Sequence, residues 1–373
     1  MADVLESTVL EVNRSAIGET RLVTDQLGEL ADGSVRFEIE RFSITANTTT
    51  YAEFGDMLDY WSFWPSGHEV FGRVPAMGWA KVIESTHPGV QVGGRYYGWF
   101  PMAQYIDVVV GTTRTGLRDD SPNRAAHAAV YRAFDRTDLD PLHPAQAGVA
   151  AADLDEAEDR HALLRGLFVT GYLADGFFQA NSYYGADHTV VLSASSKTAI
   201  GYAACASTHD GLRVVGVTSP GNVDAVEALG YYDSVVTYDD VASAVPEGSA
   251  VVIDMAGNGP VVVALHDALG DRIGYSMVIG RTHHDAPPAQ PTSGPTPELF
   301  FAPTAMDAMR DSGLDADAFA AAMPGALAEF VAGSSAWMSV DRRNGAVAAA
   351  GTWSDVLTGA VPPSIGRIAS LHP

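Results

Sequence analysis

Cysteine and lysine are nearly absent from this sequence. Its 373 residues include one cysteine, Cys205, which excludes an intramolecular disulfide and a zinc site built from several thiolates. Lys81 and Lys197 are the only lysines, whereas aspartate and glutamate number 46 and the formal net charge is −24. An acidic surface repels nucleic acid and anionic membranes. The composition therefore disfavours nucleic acid as a partner, and we expect a small-molecule substrate instead.

Long apolar runs are missing as well. No run reaches the length that spans a membrane, and no charged-then-apolar leader opens the sequence. We therefore expect a soluble, cytoplasmic protein without membrane partners. Hydrophobic residues make up 47% of the chain, which is enough for a large core, and the length predicts two domains or one large one.

The segment 188–204 carries the main indication of function. Residues 189–192 are typical of a strand buried on both faces, small and polar residues follow, and a helix resumes at Ala199. Strand, small-residue turn and helix form the phosphate-binding part of a dinucleotide fold. Of the glycines usual in that turn only Gly201 is present, in the place of the glycine that packs the helix on its strand. An ordinary βα turn is the alternative. The cofactor-binding candidates here are Ser195, Ser196, Lys197 and Thr198.

Strand and helix patterns continue to alternate after this turn. Strands are predicted at 212–219, 234–238, 250–254, 275–280 and 299–302, with helices between most of them. Repeated βα units predict an α/β fold with a doubly wound parallel Rossmann sheet that binds its ligand at the carboxyl ends of the strands. The apolar sixth strand is expected at an edge, where pairing across a two-fold axis would give a homodimer.

The end of the second predicted strand indicates which cofactor is bound. Enzymes that use NAD usually place Asp or Glu there to hold the ribose hydroxyls. This chain has Thr218, Ser219 and Asn222 instead, with no carboxylate between them. A carboxylate repels a 2′-phosphate, whereas hydroxyl and amide groups can bind one. NADP(H) is therefore predicted over NAD(H), and a simple capping turn is the alternative.

The first part of the chain is predicted to be rich in β-strands. Short apolar runs separated by glycine and proline indicate a small barrel or sandwich, and residues 118–165 are predicted as loops and helices. Residues 41–51 are interpreted as the end of a strand followed by a polar cluster. The aromatic run 60–64 is either core packing or the wall of a substrate pocket near Asn47 and Tyr51. The pocket candidates are Tyr60, Trp61 and Trp64.

Residues 280–285 follow the fifth predicted strand. Two histidines and an aspartate stand together there, but adjacent loop residues rarely converge on one metal. No metal is therefore expected, and contact with cofactor or substrate is predicted for this segment. The candidates are Gly280, Arg281 and Thr282 for the cofactor and His283 for the substrate.

The order of these parts resembles the medium-chain dehydrogenase/reductase superfamily, in its zinc-independent branch of quinone-oxidoreductase-like and enoyl-reductase-like proteins. Residues 75–78, Pro-Ala-Met-Gly, and 93–96, Gly-Gly-Arg-Tyr, match the spacing of a proline–glycine strand start and a Gly-Asp-Arg-Val turn in that superfamily's GroES-like domain. Trp79 stands where zinc-dependent members have a histidine ligand. Residues 361–368 resemble the segment that rejoins the GroES-like domain.

This resemblance implies a domain plan and roles for several residues. It implies a GroES-like substrate domain over 1–144 and 334–373, and a Rossmann dinucleotide-binding domain over 145–333. The Gly-rich loop of the family aligns with 195–201, and its phosphate-reading residues align with Ser219, Asn222 and Tyr238. Asn47 matches an asparagine that lies near the nicotinamide in this branch.

These observations together predict an NADPH-dependent oxidoreductase that reduces a conjugated carbonyl or a quinone by hydride transfer without a metal. Because no metal polarises the oxygen, hydrogen-bond donors must do so, and the catalytic candidates are Asn47, Tyr51 and His283. A catalytically inert NADP(H)-binding sensor or scaffold of the same fold remains an alternative. A third is a protein that binds another nucleotide, such as a coenzyme A ester.

Overall fold

A computed structural model describes residues 4–244, 247–255, 257–280, 289–302, 305 and 314–373. The chain divides into two compact units, Met1–Leu163 with Met338–Pro373 and Leu164–Trp337. The domain bounds implied by the resemblance stay a prediction. Among the described residues, no helix is both long and apolar enough to cross a membrane.

The strands and helices are labelled here in chain order. In the described residues the strands are β1 Leu5–Asn13, β2 Thr20–Leu27, β3 Ser34–Ile44, β4 Phe71–Gly72, β5 Pro75–Ser85, β6 Arg95–Pro101, β7 Tyr105–Thr112, β8 Gly116–Asp119, β9 Ala133–Arg136, β10 His188–Leu192, β11 Arg213–Thr218, β12 Ser234–Thr237, β13 Ala250–Asp254, β14 Ile273–Val278, β15 Glu298–Leu299, β16 Ser339–Asn344 and β17 Ile365–Ser370. The α-helices of the same part are α1 Ala46–Glu53, α2 Ala129–Arg132, α3 Leu154–Ala180, α4 Lys197–Ala206, α5 Val223–Glu227, α6 Val241–Ala244, α7 Gly259–Leu269, α8 Ala316–Gly333 and α9 Ala346–Leu357.

The second unit is built on a parallel sheet. In the described part of the chain its strand order is β12-β11-β10-β13-β14-β15, and every neighbouring pair is parallel. Counted along the chain, this is the order 3-2-1-4-5-6 of doubly wound dinucleotide-binding sheets. The central strands β10 and β13 are buried at every position, as their unbroken apolar runs require. The predicted parallel α/β sheet is confirmed.

Helices α3 and α4 approach each other at two glycines. A Cβ on Gly171 would lie 2.5 Å from the backbone nitrogen of Tyr202, and a Cβ on Gly201 would lie 3.1 Å from the Cα of Phe168. The two helix backbones therefore touch, and this close approach requires glycine at Gly171. Gly201 packs against α3, whereas the sequence interpretation gave it a contact with the preceding strand.

The first unit contains a closed barrel. Within the described residues its strands follow the order β3-β5-β6-β9-β8-β7, and β7 pairs again with β3, which closes the ring. Strand β17 pairs antiparallel with β3, and β16 pairs parallel with β17. A separate small sheet has the order β2-β1-β4. The β-rich first part of the chain is thus confirmed.

Two local predictions in the first unit were wrong. Strand β9 lies inside 118–165, which was interpreted as loops and helices, because four residues of mixed polarity leave no strand pattern. Helix α1 replaces the predicted polar cluster before Tyr51. The threonine hydroxyls there stabilise the helix locally, since those of Thr49 and Thr50 donate to the carbonyl oxygen of Ala46 at 2.8 and 3.0 Å.

A buried ionic network lies at the start of α3. The Glu158 carboxylate accepts hydrogen bonds from Arg41 at 2.8 Å and from Arg95 at 2.9 Å, and His143 Nε2 lies 3.1 Å from it. Burial raises the pKa of Glu158, but these partners outweigh burial and bring the pKa to about 2. The indole of Trp79 donates to the backbone oxygen of Glu158 at 3.0 Å, so this tryptophan is part of the core.

Candidate active site

The turn after β10 contains a serine in a conformation that favours glycine. Ser193 has φ of +58°, in the left-handed region. Its Oγ lies 3.0 Å from the phenol oxygen of Tyr238, the residue that follows β12. Ser196 is the N-cap of α4, because its Oγ accepts a hydrogen bond from the Ala199 amide at 3.3 Å. Strand, tight turn and capped helix therefore occur as predicted, with serines in place of glycines.

Hydroxyl and amide groups meet at the carboxyl ends of β10 and β11. The amide of Asn222 donates to Ser195 Oγ and to Ser219 Oγ, both at 3.1 Å. Thr218 Oγ1 donates to Ser195 Oγ at 3.4 Å. These four predicted cofactor-binding residues form one hydrogen-bonded group, hereafter the Ser195–Asn222 cluster.

Lys197 and Thr198 begin helix α4 and are both half-buried. The amides of a first helical turn have no carbonyl partner in their own helix, and the helix dipole adds partial positive charge there. Burial lowers the pKa of Lys197 to about 8. A bound anion would favour the charged form of this lysine, so the start of α4 suits a phosphate group.

Two further cofactor candidates, Tyr238 and Gly280, lie after later strands. Burial raises the pKa of Tyr238, which keeps its phenol neutral. Gly280 follows β14, and a Cβ there would lie 2.7 Å from the carbonyl oxygen of Met255, so the backbone needs glycine. Arg281, Thr282 and His283 lie outside the described residues.

Asn47 and Tyr51 are one turn apart on α1 and share a face of that helix. The indole of Trp99 donates to the Tyr51 phenol oxygen at 3.1 Å. Burial raises the pKa of Tyr51, while the hydrogen bonds from Trp99 and Asn47 lower it by less. Tyr51 is therefore a neutral phenol that can donate a hydrogen bond while its oxygen accepts one from an indole.

All three pocket candidates of the aromatic run are buried. Tyr60 packs edge-on against Tyr51 with ring centroids 4.8 Å apart, and its hydroxyl lies 3.2 Å from that of Tyr131. Trp61 and Trp64 are only 4% and 5% exposed. Their burial fits the core interpretation, and a substrate pocket at these rings stays a prediction.

Two aromatic neighbours of Tyr51 were missed from sequence. Trp99 comes from β6 and Tyr131 from α2, far from α1 along the chain. Only antiparallel strand pairing in the barrel brings β6 near this group, and no local pattern signals it. For metal binding, the described residues contain no group of three or more His, Cys, Asp or Glu side chains that could hold an ion.

Comparison with known families gives a match over most of the chain. A family model described as "Protein of unknown function (DUF2855)" matches residues 42–362. This chain belongs to the DUF2855 family. A comparison with curated proteins finds no match.

Solved structures share the fold of this DUF2855 chain. CurA from Vibrio vulnificus, also solved with NADPH, is 15% identical with a TM-score of 0.59, covering 99% of each chain. A mutant form of enoyl thioester reductase from Candida tropicalis is 12% identical with a TM-score of 0.58, covering 98% of this chain and 100% of that one. The yhdH oxidoreductase from Salmonella enterica, in complex with NADP, is 16% identical with a TM-score of 0.53, covering 98% and 99%. At such identities the likeness shows the fold alone.

Proposed function

We propose that this DUF2855 chain is an NADPH-dependent oxidoreductase that reduces a conjugated carbonyl compound or a quinone without a metal. The observation that carries the proposal is the Ser195–Asn222 cluster beside the start of α4. Both features follow the carboxyl ends of inner strands of the parallel sheet, and doubly wound sheets bind dinucleotides at such ends. The NADPH and NADP bound by CurA and yhdH support the same cofactor here.

The residues present fit NADP(H) by their chemistry. Lys197 and the first amides of α4 would hold the diphosphate. Because Gly280 has no side chain, its backbone can lie close to the carbonyl oxygen of Met255. Ser219 and Asn222 would hold the 2′-phosphate, because they offer donors and no negative charge. When bound, the nicotinamide supplies the hydride.

The substrate chemistry is assigned to α1 of the first unit. Tyr51 holds a proton on its phenol oxygen at neutral pH, since burial raises its pKa. We assign this proton to the carbonyl oxygen of the substrate, with Asn47 as a second donor and His283 as a third candidate. The name of the Candida tropicalis neighbour favours an enoyl thioester within this class.

Three further predictions belong to the same proposal. The barrel of the first unit is assigned as the GroES-like substrate domain, in the zinc-independent branch of the medium-chain superfamily. Strand β15 lies at the edge of the parallel sheet within the described residues, and its Leu299 is 53% exposed. We propose that this edge pairs with a second copy in a homodimer, and that the protein is cytoplasmic.

Titration of the full chain with NADPH and NADH, followed by nucleotide fluorescence, tests the cofactor. We expect NADPH to bind more tightly than NADH, and Ser219→Asp to weaken NADPH binding by about tenfold while sparing NADH. Ser207→Asp, an exposed change just after the last residue of α4, is the matched control. Tighter binding of NADH would contradict the cofactor assignment.

Loss of NADPH absorbance with a panel of enones, enoyl thioesters and quinones tests the reaction. We expect the parent protein to turn over at least one of these substrates. We expect Tyr51→Phe to reduce that turnover by about a hundredfold without weakening NADPH binding. Binding without turnover across the panel would favour the sensor alternative, and no binding of either nucleotide would remove the oxidoreductase proposal.

A further inference from the structure

The turn that follows β10 keeps a tight bend without glycine. In doubly wound dinucleotide folds the first glycine of this turn allows the chain to bend sharply after the strand. Ser193 stands directly after β10 and adopts φ of +58°, a region that non-glycine residues rarely occupy. This conformation is costly for a serine, so contacts made by the turn are needed to offset the cost.

Two tyrosine hydroxyls hold this turn, one at each of its first two residues. Tyr238 Oη lies 3.0 Å from Ser193 Oγ, and Tyr232 Oη donates to the carbonyl oxygen of Ala194 at 2.9 Å. Tyr232 is 9% exposed and burial raises its pKa, so its hydroxyl stays a neutral donor. The two tyrosines flank β12, one before the strand and one after it.

A glycine on the neighbouring strand β11 leaves space for the ring of Tyr232. A Cβ on Gly216 of β11 would lie 2.9 Å from Tyr232 Cδ1 and 3.0 Å from the Cβ of Ala194. Only glycine at this position leaves room for the ring beneath the turn. The residue that must be small is therefore Gly216 on β11 and not a residue of the turn. Gly216 leaves space for the tyrosine that supports the turn.

We propose that Tyr232 and Tyr238 are positioning residues that hold the glycine-free turn in the conformation that binds the diphosphate of a dinucleotide. The inference rests on the proposed function, since it assigns the turn to that ligand. It gives Tyr238 a role through Ser193 in place of the phosphate contact that the resemblance implies for it. Glycine at Ser193 would adopt the bend unaided, so Tyr238 matters only while a side chain stands there.

A double-mutant cycle on the full chain tests this role. The variants are Tyr238→Phe, Ser193→Ala, Ser193→Gly and the combinations of Tyr238→Phe with each Ser193 change. We expect Tyr238→Phe and Ser193→Ala each to raise the NADPH dissociation constant about fivefold, as loss of one hydrogen bond does, and the pair together to do no more than either alone. Tyr275→Phe, which loses a hydroxyl bond to Glu298 in the same unit, is the control and should bind as the parent does.

Rescue by glycine decides between positioning and direct contact. Ser193→Gly should bind NADPH within about twofold of the parent, and Tyr238→Phe should add less than twofold in that background. An unchanged fivefold effect of Tyr238→Phe in the glycine background would overturn the inference, because the tyrosine would then act independently of Ser193.

Unfolding measurements separate this inference from the proposed function. If the parent binds neither nucleotide, the proposed function fails, but the same variants still report on the turn through their denaturation midpoints. The effects of Tyr238→Phe and Ser193→Ala should again be non-additive, and Ser193→Gly should again abolish the effect of Tyr238→Phe. Additive effects in both backgrounds would show that the tyrosine does not support the turn.

Discussion

Replacement of Lys197 by methionine should make the protein more stable and bind NADPH less well. The lysine is half-buried at the start of α4, and burial lowers its pKa from 10.5 to about 8. Because burial lowers this pKa, the charged form of the lysine opposes folding below pH 8. Methionine has nearly the same length and carries no charge, so it removes this opposition.

The size and the pH range of the effect follow from the pKa. A difference of 10.5 − 8 in pKa corresponds to at most about 3 kcal/mol of unfolding free energy, and partial exposure of the side chain reduces it. Because the folded pKa lies below the unfolded one, the penalty is fully present below pH 8 and disappears as the pH rises through 10.5. The advantage of Lys197→Met should therefore be largest at neutral pH.

Urea denaturation between pH 7 and 10.5 measures the stability change, and fluorescence titration measures NADPH binding, which should weaken by about ten- to a hundredfold. Lys197→Gln separates the loss of charge from the gain of an apolar side chain. Lys81→Met is the matched control, because the only other lysine is exposed on β5 and its loss should change stability by less than about 0.5 kcal/mol. A Lys197→Met protein less stable than the parent at pH 7, or with an advantage independent of pH, would refute the reasoning.

Three further outcomes are expected in denaturation experiments. Glu158→Gln should lower the unfolding free energy by about 3 kcal/mol at pH 7. This deficit should shrink as the pH falls from 4.5 towards 2, where the parent also loses its carboxylate, and a deficit that does not change with pH would contradict the prediction. Because the net charge is −24, stability should rise as salt is increased from about 0.01 to 1 M, which shortens the screening length from about 30 to 3 Å; a flat response would exclude charge repulsion as a factor. Gly171→Ala should cost about 1–3 kcal/mol at the helix crossing, whereas Gly325→Ala, in open space on α8, should gain about 0.5–1 kcal/mol; effects of the same sign would contradict the packing argument.

The parallel sheet was predictable because its strands are unbroken apolar runs. Strand β13 was predicted at 250–254 and lies at Ala250–Asp254, and β10 and β11 differ from prediction by one or two residues at their ends. Because both faces of these parallel strands are buried, each strand is an unbroken apolar run that is visible in the local sequence. The barrel strands β8 and β9 carry four residues each, and their pairing partners, not their own patterns, make them strands.

The candidate site was predictable where topology alone decides position. Ser195 and Asn222 follow neighbouring parallel strands. The carboxyl ends of such strands lie side by side, so their proximity could be predicted from the fold alone. Helix α1 was not predictable from propensity, because its threonines favour strands until their hydroxyls bond back to the helix. The support of the turn at Ser193 and Ala194 by two tyrosines depends on a backbone angle and on ring placement, neither of which has a signal in local sequence.

The pairing of β17 with β3 has a consequence for synthesis of the chain. Residues Phe42, Ser43 and Ile44 meet Ala369, Ile368 and Arg367, so the end of an early strand waits for residues that are synthesised after the whole second unit. The parallel sheet of the second unit has been synthesised by then, while these three residues of β3 still lack their neighbour. A nascent chain released before β17 would present an open strand to other chains, and self-association is its expected fate.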